Sequence, residues 1–176
     1  QLRKILAYSS IAHLGWMLLI LQFAPQLSLL ALATYIMMTS AAFLTVKSSN
    51  TTSINGLALS STKTPLLTAI FPLTLLSLGG LPPLTGFLPK WLILQELTKQ
   101  ALPLPATLAA LSALLSLYFY LRLSYSTTLT MSPNNITGTA PWRLSHQNPP
   151  TSLAVTTMMS TLLLPIAPAI LSLTCM

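Results

Sequence analysis

Two uninterrupted apolar stretches near the start of the chain, residues 5–23 and 28–46, constrain its fold most strongly. Each is close to the roughly 20 residues that a helix needs to cross a hydrocarbon core of about 30 Å. A bilayer offers no water to backbone amides, so a crossing segment must satisfy its own hydrogen bonds, which favours a helix. Only a short turn at residues 24–27 separates the two stretches. We therefore predict a hairpin of two transmembrane helices.

Three later apolar stretches extend this pattern along the chain. They predict helices at residues 66–99, 104–125 and 152–174. Pro165 and Pro168 are expected to kink the last helix, because proline interrupts helical hydrogen bonding. The sequence thus predicts an all-α membrane protein, with residues 1–176 forming a single transmembrane domain of about five helices.

The third apolar stretch carries an interruption at its centre. Glycine and proline are concentrated there: Gly79, Gly80, Pro82, Pro83 and Gly86, with Pro89 just beyond. Proline removes an amide donor, and glycine tolerates unusual backbone angles. We predict that the helix ends near Gly79 and restarts near Gly86, so that residues 66–99 form one discontinuous crossing. Backbone hydrogen bonding should lapse between about Gly79 and Gly86, and the exposed carbonyls should face protein or water.

The placement of cations gives the predicted bundle a direction. Charged residues make up 5% of the chain, eight Lys plus Arg and a single acid, which is too few for a polar shell in water. Six cations fall on or near the face where the chain starts: Arg3, Lys4, Lys47, Lys63, Arg122 and Arg143. Lys99 lies near the opposite face. This excess marks the cytoplasmic or matrix face, where we predict the polar loops at residues 48–64 and 126–151.

Other function classes find little support in the composition. The cations are scattered singly, so no basic patch for nucleic acid is predicted. Cys175 is the only cysteine, and His13 and His146 stand far apart, so we expect no disulfide framework and no metal, haem or iron–sulfur site within the chain. The chain starts at Gln1 without a signal peptide, which suggests a piece of a longer protein.

Lys90 is the strongest candidate for chemistry, because it follows the break and lies roughly 13 Å of helix from the end of its stretch. This depth is near the bilayer midplane, where a lysine costs about 2.5–3.5 kcal/mol unless it faces protein or a water-filled cavity. Burial favours the neutral amine, which lets such a group give and take protons. The alternative is an anchor that snorkels past Trp91 to the membrane surface. Broken helices at this depth commonly form ion sites, which favours proton translocation.

His13 and Glu96 are the other candidates for proton translocation. Glu96 lies three residues before Lys99, which predicts a surface ion pair, with a proton exit group as the alternative. His13 lies within the first helix, with Ser9 four residues earlier on the same face. It is either a neutral, hydrogen-bonded packing group or a member of a proton relay.

Two motifs resemble a known family. The first is RKILAYSSIAH at residues 3–13, followed by Gly15 and Trp16, and the second is LLSLGGLPPLTGFLPKW at residues 75–91. Both are similar to the chain 2 family of NADH-ubiquinone oxidoreductase, the mitochondrially encoded antiporter-like subunits of respiratory complex I. The resemblance extends loosely over the chain and includes YFYLR at residues 118–122.

The resemblance implies an antiporter-like bundle of two inverted repeats, each with a broken helix, of which this chain covers the C-terminal part. It places Lys90 in a hydrophilic axis through the mitochondrial inner membrane. It also implies a subunit of H⁺-translocating NADH:ubiquinone reductase, which couples electron transfer from NADH to ubiquinone to proton translocation. The lipid bilayer and other membrane-arm subunits of complex I would be its partners.

The same resemblance places NAD, FMN, iron–sulfur clusters and ubiquinone elsewhere in the complex, with no redox centre in this chain. Two other classes remain open. A stand-alone cation/proton antiporter subunit would use the same broken helix and the same lysine. A structural membrane scaffold without proton transfer would tolerate replacement of Lys90.

Overall fold

The structure is a computed structural model of the chain and describes residues 1–49, 51–54, 56–57, 65–129 and 151–162. Its main helices are α1 (Leu2–Leu21), α2 (Pro25–Ser49), α3 (Pro65–Gly79), α4 (Phe87–Lys99), α5 (Pro103–Leu129) and α6 (Thr151–Leu162). No strand occurs among the described residues. The prediction of an all-α protein is therefore confirmed.

Proline defines where three of the helices begin. Pro25, Pro65 and Pro103 are the first helical residues of α2, α3 and α5. A proline at this position loses no hydrogen bond, because the first amides of a helix have no acceptor within the helix. The fixed φ of proline also already has a helical value. The turn between α1 and α2 consequently occupies residues 22–24 rather than the predicted residues 24–27.

The lengths of the helices fit a membrane protein with one interrupted crossing. Helices α1, α2 and α5 are long and apolar enough to cross a membrane. By contrast, α3 and α4 each rise roughly 20 Å, which is less than a hydrocarbon core needs, and together they make one discontinuous crossing. The chain is thus a multi-pass membrane protein. The predicted helix at residues 152–174 is described only as far as Leu162, and its two prolines lie outside the described residues.

Two separate apolar clusters hold the bundle together. The A-end core joins the start of α1, the end of α2, α3 and the end of α5, through Leu2, Leu6, Met38, Ala42, Val46, Leu57, Phe71, Leu75, Leu78, Tyr120 and Leu123. The B-end core joins the end of α1, the start of α2, α4 and the start of α5, through Trp16, Met17, Ile20, Ala31, Ile93, Leu97, Ala106 and Ala109. Because α3 contributes only to the first core and α4 only to the second, the break lies at the boundary between them.

The described cations follow the predicted asymmetry. Four exposed cations lie towards the A-end of the bundle: Arg3, Lys4, Lys47 and Arg122. Lys99 is exposed at the opposite end, where α4 finishes. Lys63 and Arg143 lie outside the described residues. The end of the bundle with the cation excess is therefore the one where α1 begins.

Two helices continue into segments that the sequence predicts as loops. Helix α2 runs to Ser49 and α5 to Leu129, so the first residues of both predicted loops are helical. In α5 the Ser126 hydroxyl donates to the Leu123 carbonyl at 2.8 Å. Such bonds satisfy a hydroxyl within its own helix, so a polar residue does not by itself end the helix. Residues 58–64 and 130–150 of the predicted loops lie outside the described part of the chain.

Candidate functional site

A glycine in the left-handed region ends α3. Gly80 has a φ of 85°, which glycine adopts without strain. Its amide donates to the Leu76 carbonyl at 3.2 Å and to the Ser77 carbonyl at 3.1 Å. The Leu81 amide also donates to the Leu76 carbonyl, at 3.4 Å. This arrangement is a Schellman motif, and it stops the helix at Gly79.

Short turns replace helical hydrogen bonding across the break. The Leu84 amide donates to the Leu81 carbonyl at 2.9 Å, and the Phe87 amide donates to the Leu84 carbonyl at 3.2 Å. The prediction that hydrogen bonding lapses between Gly79 and Gly86 therefore needs correction, because turns substitute for the helical pattern. Within the first of these turns, Pro82 and Pro83 are exposed.

Other helices pack closely against the break. A Cβ atom at Gly86 would overlap the Ser77 carbonyl and would lie 3.2 Å from Met38 Sδ. The buried hydroxyl of Thr85 donates to the carbonyl of Ser160 in α6. The restart of the helix is thus enclosed by α2, α3 and α6, and glycine at position 86 is required by space.

Lys90 turns back towards the break. Its Nζ atom donates to the Gly79 carbonyl at 2.8 Å, across eleven residues of sequence. A Cβ atom at Gly80 would lie 3.1 Å from Lys90 Cδ and 3.2 Å from Nζ, so the lysine side chain passes directly over this glycine. A snorkelling lysine would point towards the B-end of α4. The half-buried Lys90 instead closes the end of α3.

A half-open cavity of about 290 Å³ lies beside Lys90. Polar side chains from three helices line it: His13, Lys90, Ser112, Ser116 and Tyr120. Leu78 of the A-end core and Trp16 of the B-end core line it as well, so it lies between the two apolar cores. Since a water molecule occupies roughly 30 Å³ in the liquid, this cavity is large enough for several.

His13 lines the same cavity but does not have the predicted partner. The Ser9 hydroxyl donates at 2.6 Å to the Leu6 carbonyl of its own helix. The His13 ring instead packs against the ring of Tyr35 in α2, with the centroids 5.0 Å apart and the planes tilted by 34°. The structure therefore places His13 and Lys90, which the sequence singles out separately, around one cavity.

Glu96 lies apart from the cavity. Its Oε2 atom is 3.5 Å from Lys99 Nζ, and the two side chains are 21% and 62% exposed. Its Oε1 atom accepts a hydrogen bond from the Gln100 side chain at 3.4 Å. The predicted partner of Glu96 is therefore present, and the alternative role as a proton exit group has no contact with the cavity. No group of three or more metal-ligating side chains occurs among the described residues.

The polar face of α5 is not identified from the sequence alone. Ser112, Ser116 and Tyr120 line the cavity and are spaced four residues apart, which places them on one side of the helix. That spacing is visible in the sequence and could have indicated a polar face. It was not informative alone, because the Ser112 and Ser116 hydroxyls bond to their own helix at 2.7 Å, as serines on lipid-facing surfaces also do.

The fold and the cavity together define a class of protein. A multi-pass bundle in which an interrupted helix directs a lysine into a polar cavity is typical of membrane proteins that translocate ions. Residues 1–116 match the family model described as NADH:quinone oxidoreductase/Mrp antiporter, transmembrane. Residues 117–171 match the one described as NADH dehydrogenase subunit 2 C-terminus. The chain belongs to the NADH:quinone oxidoreductase/Mrp antiporter family.

Several similar relatives carry the name NADH-ubiquinone oxidoreductase chain 2. The chain is 68% identical to the one from Tetraodon nigroviridis over 98% of its own length and 50% of the relative's. It is 66% identical to the one from Oncorhynchus mykiss over 97% of its own length and 49% of the relative's. It is 61% identical to the one from Danio rerio over 99% of its own length and 50% of the relative's. The chain thus spans about half the length of the curated relatives it matches.

Proposed function

We propose that this chain is part of a membrane-arm subunit of respiratory complex I in the mitochondrial inner membrane. In this role it takes part in the proton translocation that electron transfer from NADH to ubiquinone drives. The names of its relatives support the proposal. The match of residues 117–171 to the C-terminus of NADH dehydrogenase subunit 2 favours complex I over an Mrp-type antiporter. The redox cofactors and ubiquinone bind to other parts of the complex, and other membrane-arm subunits are its partners.

The observation that carries the proton-transfer role is the position of Lys90. Its Nζ atom bonds to the Gly79 carbonyl at the C-terminal end of α3, where the partial negative charge of a helix favours an ammonium group. The same side chain borders the cavity that His13 lines. With water in the cavity, the ammonium passes one proton to the His13 imidazole, which leaves an amine and an imidazolium, and the reverse transfer restores both groups.

The two apolar cores separate the cavity from the two ends of the bundle. The A-end core and the B-end core close the bundle on either side of the cavity, so a continuous water path between the two faces is interrupted twice. A proton that crosses the bundle must therefore bind to a titratable group between the two cores. Lys90 and His13 are the titratable side chains that line this cavity together with Tyr120.

The role of His13 is tested by proton uptake in liposomes that contain the assembled complex. His13→Gln keeps a side chain of similar size that cannot accept a proton, so we expect severalfold slower NADH-driven proton uptake. The control is Ser10→Ala in the same helix, because the Ser10 hydroxyl bonds only to its own backbone and does not line the cavity. It should retain the wild-type rate. Full proton uptake in a variant that combines His13→Gln with Lys90→Met would contradict the proposal. The remaining alternative would then be a structural membrane scaffold without proton transfer.

The topology of the chain is tested by protease protection. The excess of cations at the A-end predicts that this end faces the matrix. Residues 48–64 and 126–151, which connect helices at this end, should then resist protease added to the intermembrane side of intact mitoplasts. Both segments should be cut after the inner membrane is opened. Cleavage of either segment in intact mitoplasts would mean that the A-end faces the intermembrane side, opposite to the prediction.

A further inference from the structure

His13 and Tyr35 meet across the hairpin of α1 and α2. The two residues lie at similar distances from the turn at residues 22–24, so the antiparallel helices bring them to a similar depth in the bundle. Their ring centroids are 5.0 Å apart and the ring planes are tilted by 34°. This separation lies within the range of roughly 4.5–7 Å in which aromatic rings pack favourably. The contact is therefore an attractive interaction between the two rings.

The B-end core anchors both partners of this contact. Tyr35 is partly buried and packs against the core. Trp16, which follows His13 by almost one turn of α1, belongs to the same core and also lines the cavity. The core thus fixes the Tyr35 ring on one side and the backbone near His13 on the other. The Tyr35 ring consequently limits how far the His13 side chain can rotate away from the cavity.

Packing against Tyr35 holds the His13 ring without using its nitrogen atoms. Neither ring nitrogen forms a hydrogen bond with another residue in the described part of the chain. A histidine whose ring N–H donates to a carbonyl or carboxylate is held in one tautomer. A histidine that relays protons must instead accept a proton on one nitrogen and release a proton from the other. The ring contact therefore restrains the position of His13 and leaves both nitrogens available to water that enters the cavity.

We propose that Tyr35 is a positioning residue for His13, whose ring holds the imidazole at the cavity and leaves both of its nitrogens available for proton exchange. This inference rests on the proposed role of His13 in proton transfer. In that role the imidazole takes a proton on one nitrogen, becomes an imidazolium, and then gives up the proton of the other nitrogen. Tyr35 takes no proton in this step, because its ring rather than its hydroxyl makes the contact.

The test is NADH-driven proton uptake, per amount of assembled complex, in liposomes that contain the Tyr35→Leu or the Tyr35→Phe variant. Leucine removes the ring, so we expect proton uptake to slow by roughly two- to tenfold, the factor that corresponds to the energy of one aromatic pair. Phenylalanine keeps the ring and removes only the hydroxyl, so it should retain the wild-type rate. The matched control is Phe43→Leu, eight residues later in α2, where the ring is 50% exposed and does not line the cavity. Its rate should also be that of the wild type.

A double variant separates the positioning of His13 from general packing. If Tyr35 acts only through His13, Tyr35→Leu combined with His13→Gln should be no slower than His13→Gln alone, because the effects of two residues that act through one contact do not add. If Tyr35→Leu fails to assemble, Tyr35→Met replaces it in both measurements, since methionine fills irregular gaps. A wild-type rate without the ring, a slow rate with Tyr35→Phe, or a further loss in the double variant would each overturn the positioning role.

The outcome for His13 distinguishes this inference from the proposed function. If His13→Gln slows proton uptake while Tyr35→Leu does not, only the role of Tyr35 is overturned. If His13→Gln alone leaves proton uptake intact, the role of Tyr35 fails while the role of Lys90 stands. If the variant that combines His13→Gln with Lys90→Met takes up protons at the full rate, the proposed function fails and the role of Tyr35 fails with it.

Discussion

Lys90→Met is expected to leave the complex assembled and to slow NADH-driven proton uptake on the order of a hundredfold, the lower end of what one positioned proton-transfer group contributes. Methionine is a flexible apolar side chain of similar length, so it fills the space over Gly80 without strain. It offers no titratable group and no donor to the Gly79 carbonyl. The proposed function couples electron flow to proton movement, so NADH-to-ubiquinone turnover should slow as well. The measurements are proton uptake and turnover of the assembled variant in liposomes.

Lys90→Arg separates the charge of this residue from its ability to exchange a proton. Arginine remains protonated, so it should assemble and still be impaired in proton uptake. An anchoring lysine would tolerate this change. The matched control is Lys99→Met, nine residues later in α4, where the side chain is 62% exposed and paired with Glu96. Its proton uptake should stay close to the wild-type rate. Full activity of Lys90→Met would remove Lys90 from the mechanism.

Gly86→Ala is expected to reduce the amount of assembled complex severely. The added Cβ atom would overlap the Ser77 carbonyl, which belongs to backbone and cannot rotate away as a side chain could. Overpacking of a well-filled interior costs typically about 1–3 kcal/mol, and an overlap with backbone lies at the upper end or beyond. The measurement is the level of intact complex on a native gel, compared with the level of the free subunit.

Gly15→Ala is the matched control for the glycine experiment. A Cβ atom at Gly15 would meet nothing within 4 Å, and alanine is favoured over glycine inside a helix by about 1 kcal/mol. This variant should therefore reach the wild-type level of assembly. Equal levels of complex for the Gly86 and Gly15 variants would mean that the close approach of the break to α3 does not exist in the assembled protein.

The interrupted crossing was predictable because its causes are local. Gly79, Gly80 and the two prolines stop a helix whatever surrounds them, and Lys90 stands out because a charge is costly in an apolar stretch. The grouping of Lys90 with His13 was not predictable. It depends on how α1, α4 and α5 are rotated about their axes, and a nearly uniform apolar sequence does not specify those rotations.

The sequence predicts the ends of α2 and α5 too early for a related reason, because the last turns of both helices are rich in polar residues. Ser49 and Thr128 read as loop residues, but each hydroxyl bonds to a carbonyl one turn earlier, at 3.0 Å in both cases. Because the hydroxyl is hydrogen-bonded within its own helix, such a residue can continue an apolar helix despite its polar side chain. For the same reason, the sequence did not indicate that Ser112 and Ser116 line the cavity. A hydroxyl-rich sequence alone therefore predicts neither a loop nor a cavity in this chain.

The separation of the apolar interior into two cores also has an electrical consequence. Moving one elementary charge across a membrane against 100 mV costs about 2.3 kcal/mol. In the proposed function, a proton that reaches Lys90 from either face passes only one of the two cores, so it crosses about half of this drop, on the order of 1 kcal/mol per 100 mV. Occupancy of Lys90 by a proton should then depend on the membrane voltage. In the proposed function, the voltage that proton translocation builds up thereby acts back on the protonation of Lys90.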